Sequence, residues 1–90
     1  MWQQDAYRMI MPKVTLYTRA GCCLCDEAKH VLAAARARVA FDCEEIDIDV
    51  HTEWLALYNE EVPVIAIDGR KAFKYRVGMD EFLKRLAARA

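Results

Sequence analysis

The sequence predicts an α/β fold in which a four-stranded mixed sheet is flanked by three helices. Short strand-like segments alternate with helical segments along the chain, which is the pattern of a β-α-β unit with parallel strands. The nearly continuous apolar run VPVIAID indicates a central strand that is buried on both faces. The dipeptide Asp68-Gly69 follows this run and predicts a hairpin, which adds an antiparallel pair.

The first half of the chain contains two strands and one helix. Alternating side chains in Lys13 to Tyr17, KVTLY, predict the first strand. After the loop TRAG, an apolar stripe at helical spacing predicts an amphipathic helix from Cys23 to Val39; its members are Ala28, Val31, Leu32, Ala35 and Val39. The segment from Phe41 to Val50 alternates apolar and acidic residues and predicts the second strand.

The second half of the chain completes the order β-α-β-α-β-β-α. A short helix is predicted in HTEWLALYNEE, with Thr52 as its N-cap. The hairpin joins VPVIAID to the fourth strand, KAFKYRV. Asp80 then caps a last helix whose apolar side is formed by Met79, Phe82, Leu83, Leu86 and Ala87.

Length and composition restrict the class of protein. A chain of 90 residues is one domain, which we assign to residues 13–90, with residues 1–12 as a loose N-terminal leader. The net charge of -1 gives no footprint for nucleic-acid binding. No apolar run approaches the ~18 residues of a membrane span, and the start lacks the basic region of a secretory signal. We therefore expect a cytoplasmic monomer that contacts neither nucleic acid nor membrane.

Three of the four cysteines are clustered in RAGCCLCDEAKHV, where the first predicted loop meets the first helix. In a reducing compartment, clustered cysteines are more often catalytic or metal-binding than structural. Cys22 and Cys25 have C-x-x-C spacing at a strand-to-helix junction, as in redox pairs. The unpaired amides and partial positive charge of the helix start favour a thiolate at Cys22. Cys25 follows within the first turn, within reach of the first sulfur.

The residues alone leave other roles for the cysteines open. A zinc site would need four ligands, drawn from Cys22, Cys25, Cys43 and one histidine, but the sequence lacks a second closely spaced ligand pair. A metal cluster shared between two chains needs fewer ligands from each chain. The cysteines could also be small apolar residues that serve only in packing. Cys23 is either an exposed extra thiol or a packing residue, and we expect Cys43 to be buried in the second strand.

Together these motifs resemble the thioredoxin fold and, within it, the glutaredoxins. The likeness extends from Lys13 to Ala90 and is carried by YTRAGCCLC, by VPVIAIDG and by VGMD before the last helix. Small bacterial glutaredoxin-like proteins also have the motif C-x-L-C. The resemblance implies a thioredoxin-like (glutaredoxin-type) fold and a cis peptide bond between Val62 and Pro63, with Val62 beside Cys22, where an extended substrate pairs with it.

The resemblance also implies an activity, that of a dithiol thiol–disulfide oxidoreductase. Cys22 attacks a disulfide of a protein substrate or a mixed disulfide, and Cys25 resolves the intermediate, which leaves an intramolecular disulfide. A separate reductase or glutathione then acts as electron donor. We expect no bound cofactor and no metal. The alternative is a non-enzymatic module on the same fold, which binds metal through its cysteines or docks a partner protein.

Glutaredoxins bind glutathione at three places that can be compared with this chain. The basic residue three positions before the nucleophile corresponds to Arg19, and the valine before the cis proline corresponds to Val62. The acidic residue that opens the last helix corresponds to Asp80, although Val77-Gly78 stands where the family has a Gly-Gly pair. Asp80 is equally explained as a helix N-cap.

Two acidic residues depart from the family pattern. Many glutaredoxins have basic or amide residues just before the Val-Pro element, whereas this chain has Glu60 and Glu61. Each exposed like-charge contact with glutathione costs from a few tenths of a kcal/mol to ~1 kcal/mol. We therefore expect weak use of glutathione.

Overall fold

The computed structural model describes residues 11–88 and contains the predicted mixed sheet. The strands are β1 (Lys13–Thr18), β2 (Asp42–Asp47), β3 (Val64–Ile67) and β4 (Arg70–Lys74). The helices are α1 (Cys23–Arg36), α2 (Thr52–Tyr58) and α3 (Met79–Ala88), and a 3-10 turn, Ile48–Val50, follows β2. The element order and the α/β fold class are those predicted from the sequence.

The sheet has the strand order β2-β1-β3-β4, which makes β1 and β3 the central strands. β1 is parallel to β2 because α1 forms the crossover between them, and it is antiparallel to β3. All four residues of β3 are buried, as the continuous apolar run predicts. Asp68 and Gly69 have φ angles of 51° and 85°, which suit a two-residue hairpin between β3 and β4.

The hydrophobic core consists of two clusters, one on each face of the sheet. On one face, Val14, Leu16, Ile65 and Ile67 of the central strands pack against α1 and α3, whose buried contributions are Ala28, Leu32, Ala35, Phe82 and Leu86. On the other face, Tyr17 and Val64 pack with Ile48 and with the aromatic side chains of α2. The ring of Tyr17 lies 4.9 Å from the ring of Trp54 and 4.9 Å from that of Tyr58.

Three predicted elements end earlier than the sequence pattern indicates. The fourth strand, predicted over KAFKYRV, begins at Arg70 and stops at Lys74 rather than Val77. β2 stops at Asp47 rather than Val50, because the Asp47 carboxylate accepts a hydrogen bond from the Asp49 N–H at 2.9 Å and turns the chain into the 3-10 turn. Ile48 is therefore buried while Val50 is 71% exposed. The helix α1 ends at Arg36 rather than Val39. The N–H groups of the next two residues, 37 and 38, donate to the carbonyls three positions earlier, and these hydrogen bonds close the last turn.

Two predicted helix caps are also wrong. The helix α2 begins at Thr52 itself, and His51, in an extended conformation, is the N-cap without a side-chain hydrogen bond. The helix α3 begins at Met79, so Asp80 is its second residue rather than its cap. The Phe82 N–H donates to the Gly78 carbonyl at 2.9 Å. Asp80 and Glu81 in the first turn suit the positive end of the helix dipole.

The predicted leader, residues 1–12, lies mostly outside the described residues, as do residues 89–90 of the predicted domain. Pro12 is buried, and its carbonyl accepts a hydrogen bond from the Asp42 N–H at 2.9 Å. Packing of the domain therefore starts before β1. Over residues 11–88, none of the helices has the length and apolar character needed to cross a bilayer.

We predict that Phe82→Ala greatly destabilises the fold. Phe82 is fully buried between α3 and the sheet, with its ring 5.6 Å from that of Phe41 and 6.3 Å from that of Phe73. Truncation of such a side chain leaves a cavity and lowers the free energy of unfolding by about 3–5 kcal/mol. Urea unfolding followed by circular dichroism measures the loss. Leu83→Ala, a half-buried neighbour on the same helix, is the control, and an equal loss in both variants contradicts the prediction.

Candidate active site

The strand register brings four loops to one end of the sheet. Tyr17 pairs with Val64 in the antiparallel register, so the end of β1 lies beside Pro63, which precedes β3. Thr18 pairs with Asp47 in the parallel register, and Val64 pairs with Lys74 at the end of β4. The loops at these positions contain five of the predicted site positions: Arg19, Cys22, Val62, Pro63 and Gly78.

Cys22 is the N-cap of α1. Gly21, with φ of 75°, turns the chain after β1 in a conformation that favours glycine. Cys22 itself is extended, and its Sγ accepts a hydrogen bond from the Cys25 N–H at 3.2 Å. The sulfur thus occupies the position that a serine or aspartate oxygen takes in ordinary N-caps. The backbone amides and the dipole at this position favour negative charge on the sulfur.

Cys25 has a different environment, although it lies one turn from Cys22. It is fully buried, whereas Cys22 is half-buried, and all four cysteines are free thiols. Burial raises the pKa of the Cys25 thiol, and a hydrogen bond with the Cys22 side chain raises it further. The Thr18 hydroxyl and the Arg19 backbone N–H act in the opposite direction and lower that pKa. The site therefore pairs one accessible sulfur with one protected sulfur in contact with it.

The other two cysteines have environments that differ from those of this pair. Cys23 is exposed, so of its two predicted roles the structure favours the extra thiol over packing. Cys43 is half-buried on β2 against the core, and burial raises its pKa. Between residues 11 and 88, the structure brings together no group of three or more His, Cys, Asp or Glu side chains that could hold a metal ion. The zinc site considered from the sequence is therefore not formed in this part of the chain.

Arg19 is engaged by side chains of its own chain. Its Nε and Nη2 donate to the Asp49 carboxylate at 3.2 and 2.6 Å, and Nη1 and Nη2 donate to the backbone and side-chain oxygens of Asn59, both at 3.0 Å. These hydrogen bonds lower the pKa of Asp49 and raise that of Arg19. Negative charge on Cys22 and Cys25 also raises the pKa of Arg19, which indicates that the guanidinium lies near the thiols.

Asp49 and Asn59 were not predicted from the sequence. The alternating pattern assigned Asp49 to a strand, and no motif singled out Asn59. Both become visible only when the 3-10 turn and the end of α2 are placed beside the loop after β1. The glutathione contact that the resemblance implies for Arg19 would therefore have to compete with these two residues.

The peptide bond between Val62 and Pro63 is cis, as the resemblance implies. Pro63 is buried, and its carbonyl accepts a hydrogen bond from the Tyr75 N–H at 2.9 Å. Val62 is half-buried and packs against the buried cluster that contains Tyr17 and Val64. Within residues 11–88, neither the N–H nor the C=O of Val62 takes part in a backbone hydrogen bond. Both groups remain able to pair with an extended segment of another molecule.

The loop before α3 contacts the first helix through an ion pair. Arg76 Nη1 lies 3.7 Å from Glu27 Oε1 of α1. Gly78 is half-buried, and a Cβ atom at this position would lie 2.9 Å from Glu81 Oε1. Asp80 is exposed in the first turn of α3. The structure therefore brings the loop that contains Gly78 to α1 and leaves the Asp80 carboxylate accessible to solvent.

Glu61 does not present a free charge. Its carboxylate accepts a hydrogen bond from Lys71 Nζ at 2.7 Å, and this bond lowers the pKa of Glu61. Lys71 Nζ also lies 5.5 Å from the centre of the Tyr58 ring. Of the two acidic residues expected to repel glutathione, one is therefore neutralised by a partner, and Glu60 is exposed.

Comparison with known proteins shows the family to which the sequence is similar. Residues 13–87 match the family model described as glutaredoxin-like domain. An uncharacterized protein of Mycobacterium tuberculosis is 35% identical over 68 residues, which cover 70% of this chain and 70% of that protein.

Solved structures give the same result at the level of the fold. A structural-genomics target protein from X. campestris is 31% identical and superposes with a TM-score of 0.72 over 86% of this chain and 99% of its own. Chloroplastic thioredoxin z has a TM-score of 0.72 over 96% of this chain and 86% of its own, at 10% identity, so it shows a shared fold alone.

We predict that iodoacetamide distinguishes the cysteines in the folded protein. Cys22 and Cys23 are accessible and should be alkylated within the reaction time, whereas Cys25, with 0% exposure, should react only after unfolding in guanidinium chloride. Peptide mapping by mass spectrometry measures each site. Cys23 is the internal control for an exposed thiol, and labelling of Cys25 at the rate of Cys23 contradicts the burial described above.

Proposed function

This chain belongs to the family of glutaredoxin-like domains and has the thioredoxin fold, and on this basis we propose that it is a dithiol thiol–disulfide oxidoreductase. One observation supports the proposal above all others. The Cys22 sulfur accepts a hydrogen bond from the first-turn amide of Cys25 at 3.2 Å, with the Cys25 thiol in contact behind it. A nucleophilic sulfur and a resolving sulfur are the two parts that this chemistry requires.

The reaction has two steps. The Cys22 thiolate attacks one sulfur of a substrate disulfide, forms a mixed disulfide, and releases the other substrate sulfur as a thiolate. The Cys25 thiolate then attacks Cys22 Sγ, which forms the Cys22–Cys25 disulfide and releases the second substrate sulfur. The substrate gains two electrons, and the protein loses them. The proton of the Cys25 thiol ends on a released thiolate.

The substrate class follows from the surface beside the sulfurs. Val62 has an unpaired backbone N–H and C=O in the described part of the chain, next to the buried Pro63. An extended peptide that adds a strand at Val62 would bring its cysteine toward Cys22. We therefore propose protein disulfides or mixed disulfides of the cytoplasm as substrates. A reductase or glutathione returns the oxidised protein to its dithiol form.

Weak use of glutathione is supported by the hydrogen bonds of Arg19 rather than by the two glutamates together. A carboxylate of glutathione would have to displace or share the Asp49 carboxylate, which already binds Arg19 through two hydrogen bonds. Glu60, which follows Asn59 in the sequence, adds an exposed negative charge, whereas Glu61 is paired with Lys71. These features favour a reductase as the donor.

We predict that Cys22→Ser abolishes reduction of insulin disulfides and that Cys25→Ser traps a mixed disulfide. Cys22 makes the first bond, and Cys25 is needed to break it. Insulin reduction is followed by turbidity with dithiothreitol as the reductant, and the trapped species is identified by mass spectrometry without reductant. Cys23→Ser is the matched control and should retain activity. An inactive wild-type protein that is purified with stoichiometric zinc or iron would instead support the metal-binding module.

We predict that Asp49→Asn strengthens the use of glutathione. The substitution removes the charge that neutralises Arg19, so a glutathione carboxylate gains an exposed ion pair, an effect of about two- to fivefold in KM. Turnover of a mixed disulfide with glutathione and its reductase measures KM. Asp42→Asn, which removes an exposed charge at the far end of β2, is the control. An unchanged or higher KM in Asp49→Asn would show that Asp49 does not limit glutathione binding.

A further inference from the structure

One buried hydroxyl in this structure has no hydrogen-bond partner. Thr18 is the last residue of β1 and is 4% exposed, and its Oγ1 is the one buried side-chain nitrogen or oxygen among residues 11–88 that is unsatisfied. Buried polar groups in folded proteins are nearly always hydrogen-bonded, because an unpaired one keeps the cost of its lost hydration. The unsatisfied Thr18 hydroxyl therefore destabilises this form of the protein, in which the cysteines are free thiols.

The neighbour of this hydroxyl is the sulfur of Cys25. The Cys25 side chain is fully buried and is approached by the Thr18 hydroxyl, by the Arg19 backbone N–H and by the Cys22 side chain. A protonated thiol is a weak hydrogen-bond acceptor, whereas a thiolate accepts strong, charge-assisted bonds. The hydroxyl is thus unpaired beside a group that becomes a good acceptor only when it ionises.

We propose, building on the function proposed above, that the Thr18 hydroxyl donates a hydrogen bond to the Cys25 thiolate, with the Arg19 backbone N–H as the second donor. In the resolving step, Cys25 must lose its proton before its sulfur attacks Cys22 Sγ. In the return step, a thiolate of the reductant attacks Cys22 Sγ, the Cys22–Cys25 bond breaks, and the electron pair leaves on Cys25. Both steps place negative charge on the same buried sulfur.

The charged and titratable groups around Cys25 explain why a neutral donor is needed there. Burial opposes ionisation of Cys25 throughout, and the Cys22 side chain opposes it while Cys22 is a free thiolate. The guanidinium of Arg19 is near both sulfurs, but it is bound to Asp49. Once Cys22 is part of a disulfide it carries no charge, and burial is the remaining obstacle. Two neutral donors at the sulfur offset that obstacle without adding a buried charge.

The test compares Thr18→Val, which replaces the hydroxyl by a methyl group of similar size, with Thr18→Ser, which retains the hydroxyl. Both are made in a Cys23→Ser, Cys43→Ser background, so that only the Cys22–Cys25 disulfide can form. The oxidised proteins are reduced by dithiothreitol, quenched with acid at intervals and analysed by mass spectrometry after alkylation. We expect Thr18→Val to be reduced roughly tenfold more slowly, equivalent to about 1.4 kcal/mol, and Thr18→Ser to remain within about twofold of the parent.

Three further measurements separate this role from a structural one. The alkylation rate of Cys22 by iodoacetamide in the reduced protein should be unchanged in Thr18→Val, because the first step places no charge on Cys25. The midpoint of unfolding should be unchanged or higher, because the substitution removes an unsatisfied buried group. The pH at which the resolving step reaches half its maximal rate should rise in Thr18→Val, because the thiolate loses a donor.

Thr15→Val is the matched control, since it makes the same change at another buried threonine of β1. Equal reduction rates in Thr18→Val and the parent would overturn the proposal, as would equal slowing of Cys22 alkylation or a marked loss of stability. Dithiothreitol needs no biological substrate. A protein that fails to reduce insulin but shows the Thr18 effect would therefore contradict the proposed function and leave this inference standing.

Discussion

The hydrogen bond from the Cys25 N–H to the Cys22 sulfur is the interaction on which the rest of this site depends. It ends the loop after β1 and begins α1, so it is part of the fold as well as of the chemistry. A thiolate accepts such a bond more strongly than a thiol. The helix start is therefore held more tightly when Cys22 carries the charge that the proposed reaction needs, and folding and reactivity share one contact.

The sheet decides which segments surround that sulfur. β3 runs antiparallel to both of its neighbours, β1 and β4. The residue before β3 therefore lies beside the residue that ends β1. This puts Pro63 and the loop of Cys22 at the same end of the sheet. On one face of the sheet, Val62, Trp54 and Tyr58 all pack against the buried cluster that contains Tyr17. This register thus brings the cysteine loop and the unpaired backbone groups of Val62 to the same end of the sheet.

Charge is largely balanced within the chain around this region. Arg19 is bound to Asp49 and Asn59, Lys71 to Glu61, and Arg76 to Glu27. A substrate that depended on free cations would have to break these pairs. Recognition through backbone hydrogen bonds at Val62 needs no such exchange, which supports the proposed peptide substrate over glutathione.

The sequence by itself determined the element order, the Asp68-Gly69 hairpin, the buried third strand and the C-x-x-C pair at a strand-to-helix junction. Each depends on periodicity or on residues that are close in sequence. The tertiary structure alone decided that β2 stops at Asp47, that Arg19 binds partners 30 and 40 positions away, and that Thr18 faces Cys25. These features depend on which distant groups meet when the sheet forms. A linear pattern of apolar and polar residues does not specify these long-range contacts, because many ways of packing the helices and strands satisfy the same pattern.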